Sequence, residues 1–131
     1  MEEAKRILII GKDILLVQSM RQMLSRAGYE VSGVHTGAAG IEKATKTSFD
    51  LVLSDARMPD MTGFEICRTI KKQPDGDRTT VVLVSGGPTT EDYQQAHDAG
   101  AAQYLAKPLE LGSFLSLLAM HGKSCRKSLA A

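Results

Sequence analysis

An α/β fold of the doubly wound kind, with a parallel sheet between two layers of helices in one domain, is predicted by three observations. Short β-branched apolar runs recur along the chain. Amphipathic stretches with recognisable ends lie between them, and the two kinds alternate strictly through short loops. The 131 residues are 43% hydrophobic and 24% charged, enough to bury one core without covalent staples.

The first run, Ile7–Ile10, is too short for a helix and suits a strand buried on both faces. Asp13 is placed to cap a helix running to Ala27, with Gly28 as its stop and Leu16, Met20, Met23 and Ala27 on one face of it. Glu30–Val34 is more mixed, as an edge strand is. Thr36 opens a second helix, to about Lys46. Leu51–Leu53 is the third strand. Thr62 opens the third helix, whose core stripe is Phe64, Cys67 and Ile70. Val81–Val84 is the fourth strand, and Thr89 or Thr90 starts a polar helix that ends near Gly100. Gln103–Ala106 is a second edge strand. The fifth helix is expected from about Glu110 to Met120, with Leu111, Phe114, Leu115 and Leu118 as its core stripe and Leu117 and Met120 toward its outer side.

Several function classes are excluded at this level. Sixteen Lys and Arg against fifteen Asp and Glu leave a formal net charge of +1, unlike a strongly basic nucleic-acid binder. No apolar run approaches the length of a membrane span or a secretory signal. Cys67 and Cys125 are too few and too far apart for a disulfide framework or a zinc knuckle, and are compatible with a reducing, cytoplasmic setting. His35, His97 and His121 lack metal-ligand spacing and are expected on the surface. Gly11-Lys12 has the look of the end of a phosphate loop, but Arg6 and Asp13 stand where that loop needs Gly and Ser or Thr. Gly33, Gly37 and Gly40 do not form a dinucleotide fingerprint. A flavin- or nucleotide-binding enzyme is therefore disfavoured.

In doubly wound sheets, ligand sites lie beyond the carboxyl ends of the strands, where strand order reverses. The candidates there are Gly11-Lys12-Asp13, Asp55, Ser85-Gly86-Gly87 and Lys107-Pro108. Three of these segments have motif quality. Residues 51–63 read Leu-Val-Leu-Ser-Asp-Ala-Arg-Met-Pro-Asp-Met-Thr-Gly, residues 81–86 read Val-Val-Leu-Val-Ser-Gly, and residues 100–108 read Gly-Ala-Ala-Gln-Tyr-Leu-Ala-Lys-Pro. In order and spacing they resemble the response-regulator receiver domains of bacterial two-component systems, over about Lys5 to Gly122.

The resemblance implies a flavodoxin-like (βα)5 fold of strand order 2-1-3-4-5 and a signalling module, not an enzyme. Residues 1–122 would be the receiver and 123–131 a polar tail or truncated linker. It implies that Asp55 accepts a phosphoryl group from a histidine kinase or phosphotransfer protein. Ser85 and Lys107 would then engage the phosphoryl oxygens, and Tyr104 would act as the switch aromatic. The face of helix four, strand five and helix five would meet an output protein or effector domain, with a homodimer also among the expected assemblies. No membrane and no direct nucleic-acid contact is implied. The Lys107–Pro108 bond is expected to be cis.

One departure stands out. The family's two acidic residues after strand one, which help Asp55's counterpart hold Mg²⁺, are replaced here by Gly11 and Lys12. Asp13 follows one place late, where helix capping suits it better. Mg²⁺ takes carboxylates in a tight octahedron, so Asp55 alone is expected to make a weak or absent Mg²⁺ site, with Lys12 pairing to Asp55 in the metal's place. Impaired Mg²⁺-dependent phosphorylation follows as the expectation. The alternative is a phosphorylation-independent pseudo-receiver acting as an interaction module.

Overall fold

A computed structural model describes residues 5–87 and 89–107. The expected fifth helix with its Leu117 and Met120 edge, the Lys107–Pro108 bond, His121, Cys125 and the polar tail lie outside those residues.

The elements follow the alternation: β1 (Arg6–Ile10), α1 (Ile14–Arg26), β2 (Glu30–Val34), α2 (Gly37–Lys46), β3 (Leu51–Asp55), α3 (Gly63–Lys71), a single 3₁₀ turn (Gly76–Arg78), β4 (Thr80–Ser85), α4 (Thr90–Ala99) and β5 (Gln103–Ala106). The five strands form one parallel sheet in the order β2-β1-β3-β4-β5. Pleating sends Leu8, Ile10, Val52, Val81, Leu83 and Tyr104 into a core shared with Phe64, Cys67 and Ile70 of α3 and Ala96 and Ala99 of α4. Ile7, Ile9, Leu51, Leu53, Val82 and Val84 project to the other face, under α1. Because both faces of β1, β3 and β4 are covered, those strands read as unbroken apolar runs.

The caps are where the sequence puts them. Asp13 Oδ1 accepts the Leu16 N–H at 3.2 Å, and Thr36, Thr62 and Thr89 do the same for α2, α3 and α4. Gly28 and Gly100 end α1 and α4 with φ of 101° and 95°, a left-handed turn that costs glycine little.

The buried face of α1 shares only Met20 with the stripe read from the sequence. Val17, Met20 and Leu24 are buried, whereas Leu16 and Met23 are 44% and 45% exposed and Ala27 lies past the helix end. Seven apolar residues in this helix satisfy both stripes, so periodicity could not choose. Two glycines do. A Cβ on Gly33 of β2 would lie 2.6 Å from Val17 Cγ1, and one on Gly11 would lie 2.8 Å from Val17 Cγ2. The two γ-methyls of Val17 occupy the space those glycines leave. His35 also departs from expectation: it is half-buried, with ring Nδ1 3.1 Å from the Gly11 carbonyl. His97 is on the surface, its side chain 85% exposed.

A contact with no counterpart in the sequence reading comes from Asp60, in the loop after β3. Its carboxylate accepts the Gly37 N–H at 2.8 Å and the Ala38 N–H at 2.9 Å, tying the loop to the N-terminus of α2. The Ala38 N–H, then that of Gly37, holds its carboxyl below the ordinary 3.8.

Two measurements test this packing. Leu24→Ala should cost about 2–5 kcal/mol in denaturant unfolding, while Leu15→Ala, at a largely exposed site, should stay within about 0.5 kcal/mol. For Asp60, a depressed carboxyl contributes stability that is fully present above its unfolded value and lost as pH falls through the folded one. Asp60→Asn should therefore lower Tm at neutral pH, and the two melting curves should converge in acid. A pH-independent gap would count against the contact.

Candidate functional site

Strand order reverses between β1 and β3, and the carboxyl ends of β1, β3, β4 and β5 converge beside that point. Asp55 is the last residue of β3 and is 9% exposed. A carboxylate so placed needs partners, since burying it unpaired is costly. Lys107, directly after β5, supplies one: its Nζ lies 2.7 Å from Asp55 Oδ1. The second is backbone: the Lys12 N–H donates to Oδ2 at 3.1 Å. Both oxygens are thereby engaged, one by an ammonium and one by an amide.

The Lys12 side chain goes elsewhere. An ion pair with Asp55 was expected, but the ammonium reaches past the carboxylate and donates to the Arg57 carbonyl at 3.4 Å. The reason is geometric. The residue's own amide already faces Oδ2, so its side chain leaves in another direction and meets the loop after β3. That loop is a tight turn, closed by Met58 N–H to Met61 O at 3.0 Å and by Gly63 N–H to Ala56 O at 2.6 Å, and it aims the Arg57 carbonyl at the site. Gly63 has no room for a side chain, because a Cβ there would sit 2.5 Å from the Asp55 carbonyl oxygen.

Lys12, Asp55, Arg57, Ser85 and Lys107 line one cavity of about 240 Å³ together with Val84, Gly86 and Gly87. Lys12 and Lys107 thus bring two cationic side chains to a cavity with a single carboxylate, while the Arg57 guanidinium is turned to Asp92. Asp13 is committed to its helix cap, and Gly11 offers no side chain. Among the described residues no group of three or more His, Cys, Asp or Glu side chains could hold a metal ion. Ser85 Oγ accepts the Gly87 N–H at 3.3 Å, two residues beyond the end of β4.

Tyr104 on β5 points inward and is 8% exposed. Its ring meets Tyr93 edge-on at 5.0 Å and Phe64 at 6.0 Å. Its hydroxyl is buried without a hydrogen-bond partner among the described residues. The Arg57 guanidinium contacts Asp92 Oδ1 at 3.4 Å, and Asp92 Oδ2 accepts the Thr89 N–H at 3.0 Å in the capping box of α4. Arg57 and Asp92 were not singled out from the sequence. Only the capping spacing from Thr89 to Asp92 could have pointed to the second. Cys67, by contrast, is the small core residue expected: it is fully buried, its thiol donates to the Ala99 carbonyl at 3.3 Å, and burial pushes it up to about 11.

A parallel 2-1-3-4-5 sheet with a carboxylate, a hydroxyl and a lysine at the ends of β3, β4 and β5 defines a receiver-type signalling domain. Residues 7–119 match the response regulator receiver domain family, and the chain belongs to it. It is a module of two-component signal transduction rather than an enzyme. A CheY-like receiver domain protein from Methanospirillum hungatei has a TM-score of 0.89 and 30% identity over 96% of this chain and 99% of its own. The chemotaxis response regulator CheY4 of Vibrio cholerae has a TM-score of 0.84 and 30% identity, covering 90% and 98%. Response regulator ArlR of Staphylococcus saprophyticus is 30% identical over 85% of this chain, and the chain spans 49% of its length. A hybrid signal transduction histidine kinase of Dictyostelium discoideum is 26% identical over 91% of this chain, which covers only 7% of that protein. No helix among the described residues is long and apolar enough to cross a membrane.

The wedge between Val17 and Gly11 has a measurable consequence. Gly11→Asp should destabilise by about 1–3 kcal/mol through overpacking. Combined with Val17→Ala it should cost about 1 kcal/mol less than the two single losses added, by urea denaturation of all four proteins. Strict additivity would mean that the two positions do not compete for space.

Proposed function

We propose that this chain receives a phosphoryl group on Asp55 within a cytoplasmic phosphorelay, with a histidine kinase or phosphotransfer protein as donor, and that Mg²⁺-dependent phosphorylation is impaired. What carries the proposal is the Lys107–Asp55 contact of 2.7 Å in a cavity where Lys12 and Lys107 stand against one carboxylate. A carboxylate oxygen of Asp55 attacks the phosphorus of a phosphohistidine. The P–N bond breaks, its electron pair stays on the imidazole nitrogen, and water returns a proton to the ring. Lys107 and the Ser85 hydroxyl stabilise charge on the phosphoryl oxygens, which is most of what such a transfer requires.

Receivers ordinarily use Mg²⁺, and the donor set here does not fit it. Mg²⁺ asks for nearly octahedral oxygen ligands with one or two carboxylates. Gly11 supplies no side chain, Lys12 supplies a positive charge in place of a carboxylate, and the Arg57 carbonyl accepts the Lys12 ammonium. An output protein or effector domain is proposed to read the face around α4 and β5, where Tyr104 lies beneath Tyr93; a homodimer through the same face is the other assembly it could support. The second reading, a phosphorylation-independent interaction module, is favoured by the same engagement of both Asp55 oxygens, which leaves the resting site satisfied without phosphate.

Mg²⁺ titration and labelling from a small acyl phosphate separate these readings. Lys12→Asp should bind Mg²⁺ about tenfold more tightly than wild type and gain Mg²⁺-dependent labelling at Asp55. If wild type binds and labels as well as the variant, an ordinary Mg²⁺-dependent switch stands. If wild type labels under no condition, the interaction module does.

A further inference from the structure

We infer that the Lys12 ammonium is a built-in counter-cation and that the cavity takes a tetrahedral oxyanion, phosphate or a phosphoryl group, between Lys12 and Lys107 without any divalent metal. The inference deepens the phosphoacceptor proposal and rests on it for the covalent step alone; non-covalent anion binding needs only the geometry.

Lys12 lines the cavity and is held at both ends, by its amide to Asp55 Oδ2 at 3.1 Å and by its Nζ to the Arg57 carbonyl at 3.4 Å. The second contact is long, and an ammonium has three N–H donors, so most of its donating capacity is uncommitted. Lys107 spends one short contact on Asp55 Oδ1 and neutralises that carboxylate. The local excess charge is therefore positive before any ligand arrives. The cavity, about 240 Å³, is several times the roughly 30 Å³ share of one liquid water. A lysine binds phosphate as a point charge and needs no coordination geometry. When an acyl phosphate occupies the site, an Asp55 oxygen attacks phosphorus, the bond to the acyl oxygen breaks, and the carboxylate leaves with its electron pair. No metal and no proton is needed to balance that step.

The test uses the whole chain in EDTA. Inorganic phosphate is titrated into wild type, Lys12→Gln and Asp55→Asn, and followed by backbone amide chemical shifts around residues 11–12 and 85–87. Labelling by acetyl phosphate is measured separately, with EDTA and with Mg²⁺. Wild type should bind phosphate in EDTA. Lys12→Gln, at an exposed position, should keep the fold and bind about tenfold more weakly. Asp55→Asn should bind at least as tightly as wild type while losing all label, and added Mg²⁺ should change wild-type affinity by less than about twofold. Absence of phosphate binding in EDTA, an unchanged affinity in Lys12→Gln, or label that appears only with Mg²⁺ would overturn the inference. The last result would leave Asp55 as phosphoacceptor. Metal-free phosphate binding without any label at Asp55 would do the reverse, supporting the anion site and removing the acceptor.

Discussion

Asp55 is a carboxylate at the end of a strand whose five residues are all buried, and its charge has to be satisfied by the strands on either side. On one side the chain leaving β1 turns so that the Lys12 amide faces Oδ2; on the other, Lys107 leaves β5 to reach Oδ1 across the end of β4. Neither donor is near Asp55 in sequence, and both are placed only once the order β2-β1-β3-β4-β5 is assembled. The same order puts the crevice at the switch between β1 and β3, which is why the chemistry collects there and not at the amino ends of the strands.

The loop that follows Asp55 is fastened in three directions. Asp60 grips the N-terminus of α2, the Arg57 carbonyl holds the Lys12 ammonium, and the Arg57 guanidinium touches Asp92. Asp92 is buried and also closes the capping box of α4. Arg57 thus touches the Lys12 ammonium through its carbonyl and the start of α4 through its guanidinium. Ser85 Oγ accepts the Gly87 N–H ahead of α4, and Tyr104 lies inward under Tyr93 of α4. Helix α4 itself buries little apolar surface, Ala96 and Ala99 being its buried apolar residues.

Loss of an acid at position 11 is linked to the packing of α1. Val17 fills the space that Gly11 and Gly33 leave, and a side chain at either position would displace a β-branched residue that has little rotamer freedom. The departure from the family's acidic pair is thus part of how the first helix docks on the sheet. An acid cannot be restored at position 11 without repacking Val17.

The alternation of apolar runs and capped helices was legible in the sequence because burial on both faces and capping chemistry leave local marks. Asp13, Thr36, Thr62 and Thr89 announce helix starts, and Ile7–Ile10 and Val81–Val84 announce buried strands. Asp55, Ser85 and Lys107 were legible as strand-end residues within family-like motifs, and they do line one cavity. Which stripe of α1 faces inward was not, since two stripes were equally apolar and glycines on other elements decided between them. The destination of the Lys12 ammonium was equally out of reach. A charge count brings it to the nearest carboxylate, but its own amide occupies that carboxylate, and the Arg57 carbonyl is brought into range by a turn whose closure involves residues fifty positions away. Sequence alone determined that Asp55, Ser85 and Lys107 gather at the end of the sheet. Tertiary structure decided which of them touch, because a side chain's partner depends on the direction in which its backbone leaves the strand.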